Sequence, residues 1–501
     1  MSAKTQDQKV SKAAKAERPE RARRSKDDYD ADIVVVGAGF AGMAAAYRLS
    51  RKHQSVIVVD AMERVGGRSW SINLSDGTFL DIGAGWTGST QYHILRLVEE
   101  LKLSTYTQYG LGDKEGQSLF LGLDGKQQYF EGLNWPVSDK AKLEVAHAIQ
   151  TIDTMAGSVP FDAPWDAPNA KEWDSISAGV FVRENIKEPE AMGIVTGNLT
   201  TIFGLSPFAV SLLHLLWESR TAGGVECFGS VPNGSAELRI VGGTQQIPLK
   251  IAEMLGPSAL VLDSPVREIS QDDAGVTVVS ARRTLRGRRA IVAIPTCLTG
   301  FIRFQPPLPA DRALLIQRTP QGSAIKVQLI YDRAFWRAAE FNGSSKLGFN
   351  GNSFAINGSI VPQTLDSGGP AGKDEPGILG CFIDDDAARD LGRLGQAERR
   401  DLILRELVPR FTKQVMELSK TISPNYVEFI SQDLEWARGD YASTPGPRVL
   451  TASGFGPALR DPFKRIHWAG VDTATVWYQS IEGAAQSGKR AADEAIAAGL
   501  D

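Results

Sequence analysis

The sequence predicts an α/β fold: one domain is built on a parallel sheet, and a second domain is of the α+β type. Residues 33–36 form a continuous β-branched run, which is typical of a strand buried on both faces of a parallel sheet. A glycine-rich turn and a helix of small residues follow, and a further buried strand is predicted at 289–295. The chain has 501 residues, more than one hydrophobic core usually serves, so we expect two domains.

The turn after the first strand carries the strongest local motif. Gly37, Gly39 and Gly42 give the spacing G-x-G-x-x-G between that strand and the helix. The first glycine permits the tight turn, the second lets the backbone approach a pyrophosphate, and the third allows close packing of helix on strand. Asp60 ends the second predicted strand, where its carboxylate can accept the ribose hydroxyls of an adenosine. The pattern predicts a dinucleotide site, and at this point either NAD or FAD fits.

A second glycine pair follows directly. Gly66 and Gly67 precede Arg68, which adds backbone donors and a cation for a diphosphate. The run from Asp60 to Arg68 resembles the flavin amine oxidase family, whose members carry an acid followed by A-x-x-R-x-G-G-R. The resemblance implies FAD in place of NAD. It also implies a Rossmann-like FAD-binding domain of the glutathione reductase and amine oxidase type, with a discontinuous substrate-binding domain.

Domain limits follow from where cofactor motifs occur. We assign the FAD-binding domain to residues 31–103, 238–310 and 426–501, and the substrate domain to 104–237 and 311–425. Residues 1–30 are rich in charge and have no apolar run, so we expect a disordered arm. The resemblance further leads us to expect a homodimer.

Composition excludes several classes of function. The formal charge of −4 gives no general attraction to nucleic acid or anionic lipid. The three cysteines are far apart and form no C-x-x-C pair, so we expect neither a metal site nor a disulfide framework. The sequence shows no secretory signal and no C-terminal membrane helix of the kind found in animal monoamine oxidases. We therefore expect a soluble, cytoplasmic protein.

Other segments extend the family resemblance and imply further FAD contacts. Gly85 and Trp86 lie in a glycine-rich loop that runs beside the flavin in the family. Val266 matches a valine whose backbone meets the adenine. Asp472 and Glu482 belong to the C-terminal block, in which a helix N-terminus can face negative charge on the flavin.

Lys326 is unusual because it lies in an apolar, alternating strand, predicted to be half-buried. Burying an ammonium group costs several kcal/mol unless something compensates. A lysine whose head reaches water at a sheet edge would be the structural explanation. The resemblance instead implies a catalytic lysine that holds a water against flavin N5.

Two departures from the family concern the flavin ring. Asp440 stands where animal monoamine oxidases have a cysteine bonded to the flavin, so we predict non-covalent FAD. The family often places the amine between two aromatic rings. Tyr441 keeps one, but the other position falls on Ser480, just after Tyr478. We therefore name Tyr441 and Tyr478, with Lys326, as the candidate catalytic residues.

The implied reaction is oxidation of an amine to an imine, which hydrolyses to an aldehyde or ketone, with oxygen reduced to hydrogen peroxide. Three alternatives stay open: a flavin dehydrogenase with a protein electron acceptor, a flavin oxidase for amino acids, polyamines or a porphyrinogen, and a flavin-binding regulator. Aromatic residues flank the motifs, so we predict an unprotonated amine on an apolar body as substrate. An amino acid would need a buried arginine, for which Arg220 and Arg333 are candidates.

Overall fold

A computed structural model describes residues 29–110, 116–229, 232–338, 341, 348–369 and 376–500 of the protein. The predicted disordered arm lies outside this part of the chain except for Tyr29 and Asp30. In the described part, no helix is both long enough and apolar enough to cross a membrane.

The strands belong to two large sheets and three short two-stranded ladders. Their bounds are β1 Ala31–Val36, β2 Val56–Val59, β3 Ser71–Asn73, β4 Phe79–Asp81, β5 Thr105–Thr107, β6 Gln117–Leu121, β7 Gln127–Phe130, β8 Leu238–Ile240, β9 Leu260–Val261, β10 Val266–Asp272, β11 Gly275–Ser280, β12 Thr284–Val292, β13 Arg303–Gln305, β14 Gln321–Gly322, β15 Ala324–Tyr331, β16 Phe349–Ala355, β17 Gln363–Asp366, β18 Gly377–Asp384, β19 Tyr426–Ile430, β20 Asp440–Ser443 and β21 Ile466–Trp468.

The α-helices of the described residues pack on these sheets or on one another. Their bounds are α1 Phe40–Arg51, α2 Tyr92–Glu100, α3 Asp139–Ala156, α4 Ala170–Trp173, α5 Ala178–Asn185, α6 Pro189–Phe203, α7 Leu212–Ala222, α8 Gln246–Leu255, α9 Ala310–Ile316, α10 Asp385–Gly392, α11 Gln396–Phe411, α12 Phe455–Ala458 and α13 Ile481–Ala497.

The first sheet holds the glycine motif. Its order is β13-β10-β11-β12-β1-β2-β9, and β21 pairs with residues 290–292 at the C-terminal end of β12. β1 runs parallel to β2 on one side and to β12 on the other, as a strand buried on both faces requires. The sheet draws its strands from three separate segments of the chain, because β1 and β2, then β9 to β13, then β21 contribute in turn.

Helix α1 packs closely on β1 and against α13. A side chain at Gly42 would place its Cβ only 1.8 Å from the carbonyl oxygen of Gly37, and one at Gly488 would meet Ala41 O at 2.1 Å. These approaches are possible only for glycine. The third glycine of the motif therefore has the packing role that the sequence predicts.

The second sheet has the order β19-β15-β18-β17-β16-β6-β7. β15 lies inside it, since it pairs with β18 on one side and β19 on the other. All eight residues of β15 are buried, so the strand is not half-buried as its alternating pattern predicted. β19 also corrects the predicted limit at residue 426, because its hydrogen-bonded partners in β15 place it in this sheet and not in the first.

Candidate active site

One large cavity, of about 1140 Å³, begins at the carboxyl ends of β1 and β2 and reaches β15 and β18 of the second sheet. Open α/β sheets bind their ligands at this end of the strands. The sequence-predicted residues that line it are Gly37, Gly39, Asp60, Arg68, Gly85, Trp86, Val266, Lys326, Tyr441 and Tyr478. The fold therefore brings ten of the thirteen candidate residues to one cavity.

The glycine turn leaves space for an anion. Gly37 has φ +106°, and a Cβ there would lie 2.7 Å from Ala293 O, so the turn requires glycine. At Gly39, by contrast, a Cβ would meet nothing within 4 Å and would point into open space. Gly39 also precedes α1 without any side-chain cap, which leaves first-turn N–H groups free. This open cradle at a helix N-terminus fits a pyrophosphate.

Asp60 lies at the end of β2 in the cavity wall. Its two carboxylate oxygens accept hydrogen bonds from the backbone N–H groups of Ala38 and Met62. Burial nevertheless raises the pKa of Asp60 above its usual value, against the effect of those two donors. Each oxygen keeps a further lone pair, so the carboxylate can still accept the hydroxyls of a ribose.

Arg68 connects the glycine-rich part of the cavity with the aromatic part. Its guanidinium donates to the backbone oxygen of Tyr441. Tyr441 also has its backbone N–H bonded to the Asp440 carboxylate at 2.8 Å, and its φ of +57° lies in the left-handed region. Non-glycine residues in that region are held there by their surroundings and often mark functional sites. Tyr441 is thus fixed from both sides of its backbone.

Lys326 is buried in the cavity wall, so the sheet-edge explanation does not hold. Its Nζ donates to the carbonyl oxygens of Asp81 at 3.0 Å and Gly83 at 2.8 Å. It lies 4.4 Å from the centre of the Trp86 ring and would lie 3.4 Å from a Cβ at Gly85. Burial lowers the pKa of Lys326 to about 7. The side chain therefore changes charge near neutral pH while two of its donors are held by backbone.

Asp81 supports this lysine, and sequence reasoning missed it. The residue is wholly buried, pairs with Arg239 at 3.2 Å and accepts from Ser71 Oγ at 2.6 Å and Thr244 N at 3.0 Å. Its backbone oxygen is one of the two acceptors of Lys326. The available signal was an acid at the end of an apolar strand, immediately before a glycine-rich loop.

Tyr478 lines the cavity with its hydroxyl bonded to backbone. Its hydroxyl donates to the backbone oxygen of Ser443 at 2.9 Å, and its ring packs on His214 and Trp217. The residue forms part of the cavity wall, but this hydroxyl is already bonded to the protein. Ser480, at the position of the family's second aromatic ring, instead caps helix α13 by accepting from Gly483 N. The aromatic rings that this part of the chain and Tyr441 bring to the wall are therefore those of Tyr441, Trp477 and Tyr478.

Three candidates do not line the cavity. Besides Gly42, these are Asp472 and Glu482, whose carboxylates accept hydrogen bonds from protein groups. Asp472 accepts from the backbone of Thr296 and Ser443. Glu482 accepts from the first-turn N–H groups of α2 and from a histidine side chain. Both side chains hold segments of the wall together, and any contact with FAD would involve their neighbouring backbone.

The chain is similar to known proteins over most of its length. The family model of flavin-containing amine oxidoreductases matches residues 40–496. The chain belongs to the flavin amine oxidase family. It is 34% identical to human flavin-containing amine oxidase B over 93% of this chain and 86% of that one. It is 33% identical to a probable flavin-containing monoamine oxidase A of Dictyostelium discoideum, over 92% of this chain and 97% of that one.

Solved structures give the same family. Putrescine oxidase bound to putrescine superposes with a TM-score of 0.84 and 28% identity, covering 93% of this chain and 99% of that chain. Cyclohexylamine oxidase from Brevibacterium oxydans gives a TM-score of 0.82 and 29% identity, covering 93% and 98%. The predicted fold class and enzyme class are confirmed: this is an α/β flavoprotein and an oxidoreductase that deaminates amines.

Proposed function

We propose that the protein binds FAD without a covalent bond, oxidises neutral amines carried on an apolar body, and passes the electrons to oxygen to form hydrogen peroxide. The single observation that carries this is the continuous cavity from the Gly39 cradle to Lys326 and Tyr441. When bound, the isoalloxazine ring supplies the hydride acceptor. The imine product would then hydrolyse to an aldehyde or ketone. The homodimer stays a prediction.

The proposal assigns FAD-binding roles to residues at three places in the cavity. The N-terminus of α1 and Gly39 would receive the pyrophosphate, and Asp60 the ribose. Val266, at the start of β10, would face the adenine. Asp440 has one oxygen bonded to Tyr441 N, and no cysteine lines this part of the cavity among the described residues. These positions support a tightly held but releasable cofactor.

The chain's own groups would prepare the amine for oxidation. Trp86, Trp477 and Tyr441 give the wall aromatic surface, and wherever such a surface excludes water it favours a neutral amine over its ammonium form. A neutral amine has its lone pair free, as oxidation at the adjacent carbon requires. Lys326, whose pKa burial lowers to about 7, can hold a proton or a water at its Nζ.

Amino acids fit the cavity less well than amines. Among the described residues, the arginines that line it are Arg68, Arg267 and Arg438. Arg68 is bonded to Tyr441 O, while Arg267 and Arg438 lie over the rings of Trp436 and Phe301. The earlier candidates Arg220 and Arg333 are not in the lining, and Arg220 lies 4.4 Å above the ring of Phe161. A buried bidentate partner for a substrate carboxylate is thus absent from the described lining.

A comparison of matched substrates tests this proposal. Tyramine and tyrosine differ only in the α-carboxylate, and we expect the higher kcat/KM for tyramine. A higher value for tyrosine would show that an arginine completes the site and that an amino-acid oxidase is the better description. Activity with tyramine should rise with pH as the amine loses its proton.

A further inference from the structure

One stretch of the cavity wall has a strained backbone. Trp477 and Gln479 have φ values of +44° and +57°, and neither is glycine. This conformation is unfavourable for a residue with a side chain and persists only where neighbouring groups fix it. Residues 477–481 all line the cavity, so whatever holds this stretch also shapes the substrate's surroundings.

One face of helix α7 packs against this stretch. The four residues that touch it are spaced i, i+3, i+4 and i+7, so they share one side of the helix: His214, Trp217, Glu218 and Thr221. The backbone oxygen of Thr221 accepts from Trp477 N at 3.2 Å. The rings of His214 and Trp217 pack on Tyr478 with centroids 4.9 and 5.0 Å away.

Glu218 is the polar member of this face and makes the side-chain link. Its Oε2 accepts from Gln479 Nε2 at 3.0 Å, and its Oε1 lies 2.9 Å from His214 Nε2. Both Glu218 and His214 are completely buried. Burial raises the pKa of Glu218, and a lone buried charge is strongly disfavoured. The nearby His214 opposes this rise in pKa, and Oε2 is the oxygen that accepts from Gln479.

We propose that Glu218 is a positioning residue for the substrate wall, acting through the side-chain amide of Gln479. It touches neither the cavity nor the reacting atoms. Its carboxylate fixes which way the Gln479 amide points and so secures residues 477–480 against relaxation to an ordinary backbone conformation.

The inference rests on the proposed function, because it takes this wall to face the amine. We call the hydrogen bond between Glu218 and Gln479 the clamp. Two variants separate loss of the clamp from simple loss of fold. Glu218→Gln keeps an acceptor for Gln479 and a donor for His214, whereas Gln479→Leu removes the link from the cavity side. Gln150→Leu and Glu184→Leu, at exposed helix positions, are the matched controls.

Hydrogen–deuterium exchange of the peptide covering 475–481 measures the clamp without any activity. We expect exchange at least about tenfold faster in Gln479→Leu, as local opening becomes easier, and exchange as in the unchanged protein for Glu218→Gln and both controls. Unchanged exchange in Gln479→Leu would overturn the proposal. So would faster exchange in Glu218→Gln that matches the leucine variant.

Steady-state kinetics with benzylamine tests the path of the effect. In Gln479→Leu we expect KM to rise about fivefold or more, with kcat within about twofold, because a loosened wall loses binding common to ground and transition states. Adding Glu218→Leu to Gln479→Leu should add nothing further, since one link is removed twice. If the effects of the two substitutions on KM multiply, Glu218 does not act through Gln479 and the proposal is contradicted. If benzylamine is no substrate of the unchanged enzyme, the proposed function fails, while the exchange result still decides the clamp.

Discussion

The Nζ of Lys326 donates to the carbonyl oxygen of Gly83 at 2.8 Å, in the loop that also carries Gly85 and Trp86. A buried ammonium is thus tied to backbone and not to a carboxylate side chain. Backbone oxygens orient the ammonium group without neutralising its charge, so the pKa of Lys326 remains sensitive to the other groups of the cavity. This relationship makes Lys326 the residue whose replacement is most informative.

Lys326→Met should keep the fold and the bound flavin, because methionine fills a similar buried volume. We expect reoxidation of the reduced enzyme by oxygen to slow by about tenfold or more, as for the loss of one preorganised charge at a reacting centre. Stopped-flow absorbance of the flavin measures this step. Lys250→Met, at an exposed position, is the control. Equal reoxidation rates in both variants would reduce Lys326 to a structural role.

The pH dependence of reoxidation follows from the lowered pKa of Lys326. The group is charged below about 7 and neutral above it, so a step that needs the cation should slow as pH rises through 7. Reduction by the amine should change in the opposite sense, because the substrate loses its own proton. Rapid-mixing experiments on each half-reaction separate the two. A pH-independent reoxidation in the unchanged enzyme would contradict the assignment.

The first and second strands of the glycine motif, and the motif's place between β1 and α1, were predictable because their signals are local. The β-branched run and the glycine spacing each reflect contacts made within about thirty residues. Lys326 shows the limit. Alternation in 323–329 predicted a half-buried strand, but one face of β15 packs on helices α10 and α11 and the other meets Asp81 and Gly83, all from distant parts of the chain.

Tyr478 and Asp81 show a second limit on the sequence prediction. The sequence names Tyr478 as a candidate catalytic residue, but it gives no sign that the hydroxyl donates to Ser443 O, a partner 35 residues away. The role of Asp81 depends on Arg239 and Lys326, which reach it from separate segments. Partners that are distant in sequence decide which polar groups remain available to a ligand. The hydrophobic pattern of a sequence does not identify such partners.

Two glycines of the motif should respond differently to alanine. In Gly39→Ala the new methyl group projects into open space, so we expect the apoprotein to melt as before. FAD affinity should fall by about tenfold or more, since a lost hydrogen bond to a charged phosphate is worth about 1.5–3 kcal/mol.

In Gly42→Ala the methyl group would meet the Gly37 carbonyl oxygen at 1.8 Å, so the turn must move. Overpacking of this kind costs about 1–3 kcal/mol, and we expect a lower Tm even without cofactor. Fluorescence titration with FAD and thermal unfolding of the apoprotein distinguish the two. A lower apoprotein Tm in Gly39→Ala would show that the cradle is part of the fold's packing.

The attachment of FAD can be read directly from the denatured protein. The family resemblance aligns Asp440 with the covalent cysteine, so we predict that acid precipitation leaves yellow flavin in the supernatant and a colourless pellet. The animal enzymes that keep this cysteine are the reference for a retained label. Flavin fluorescence that stays with the denatured band on a gel would show that a side chain of this protein bonds to the cofactor.

Anaerobic titration of the purified flavoprotein with a panel of amines tests the central claim most directly. We expect amines such as benzylamine and tyramine to bleach the oxidised flavin band, and admission of air to restore it with formation of hydrogen peroxide. Bleaching without recovery in air would indicate a dehydrogenase that uses another electron acceptor. A flavin spectrum that no primary, secondary or polyamine reduces would contradict the assignment of amine oxidation to this site.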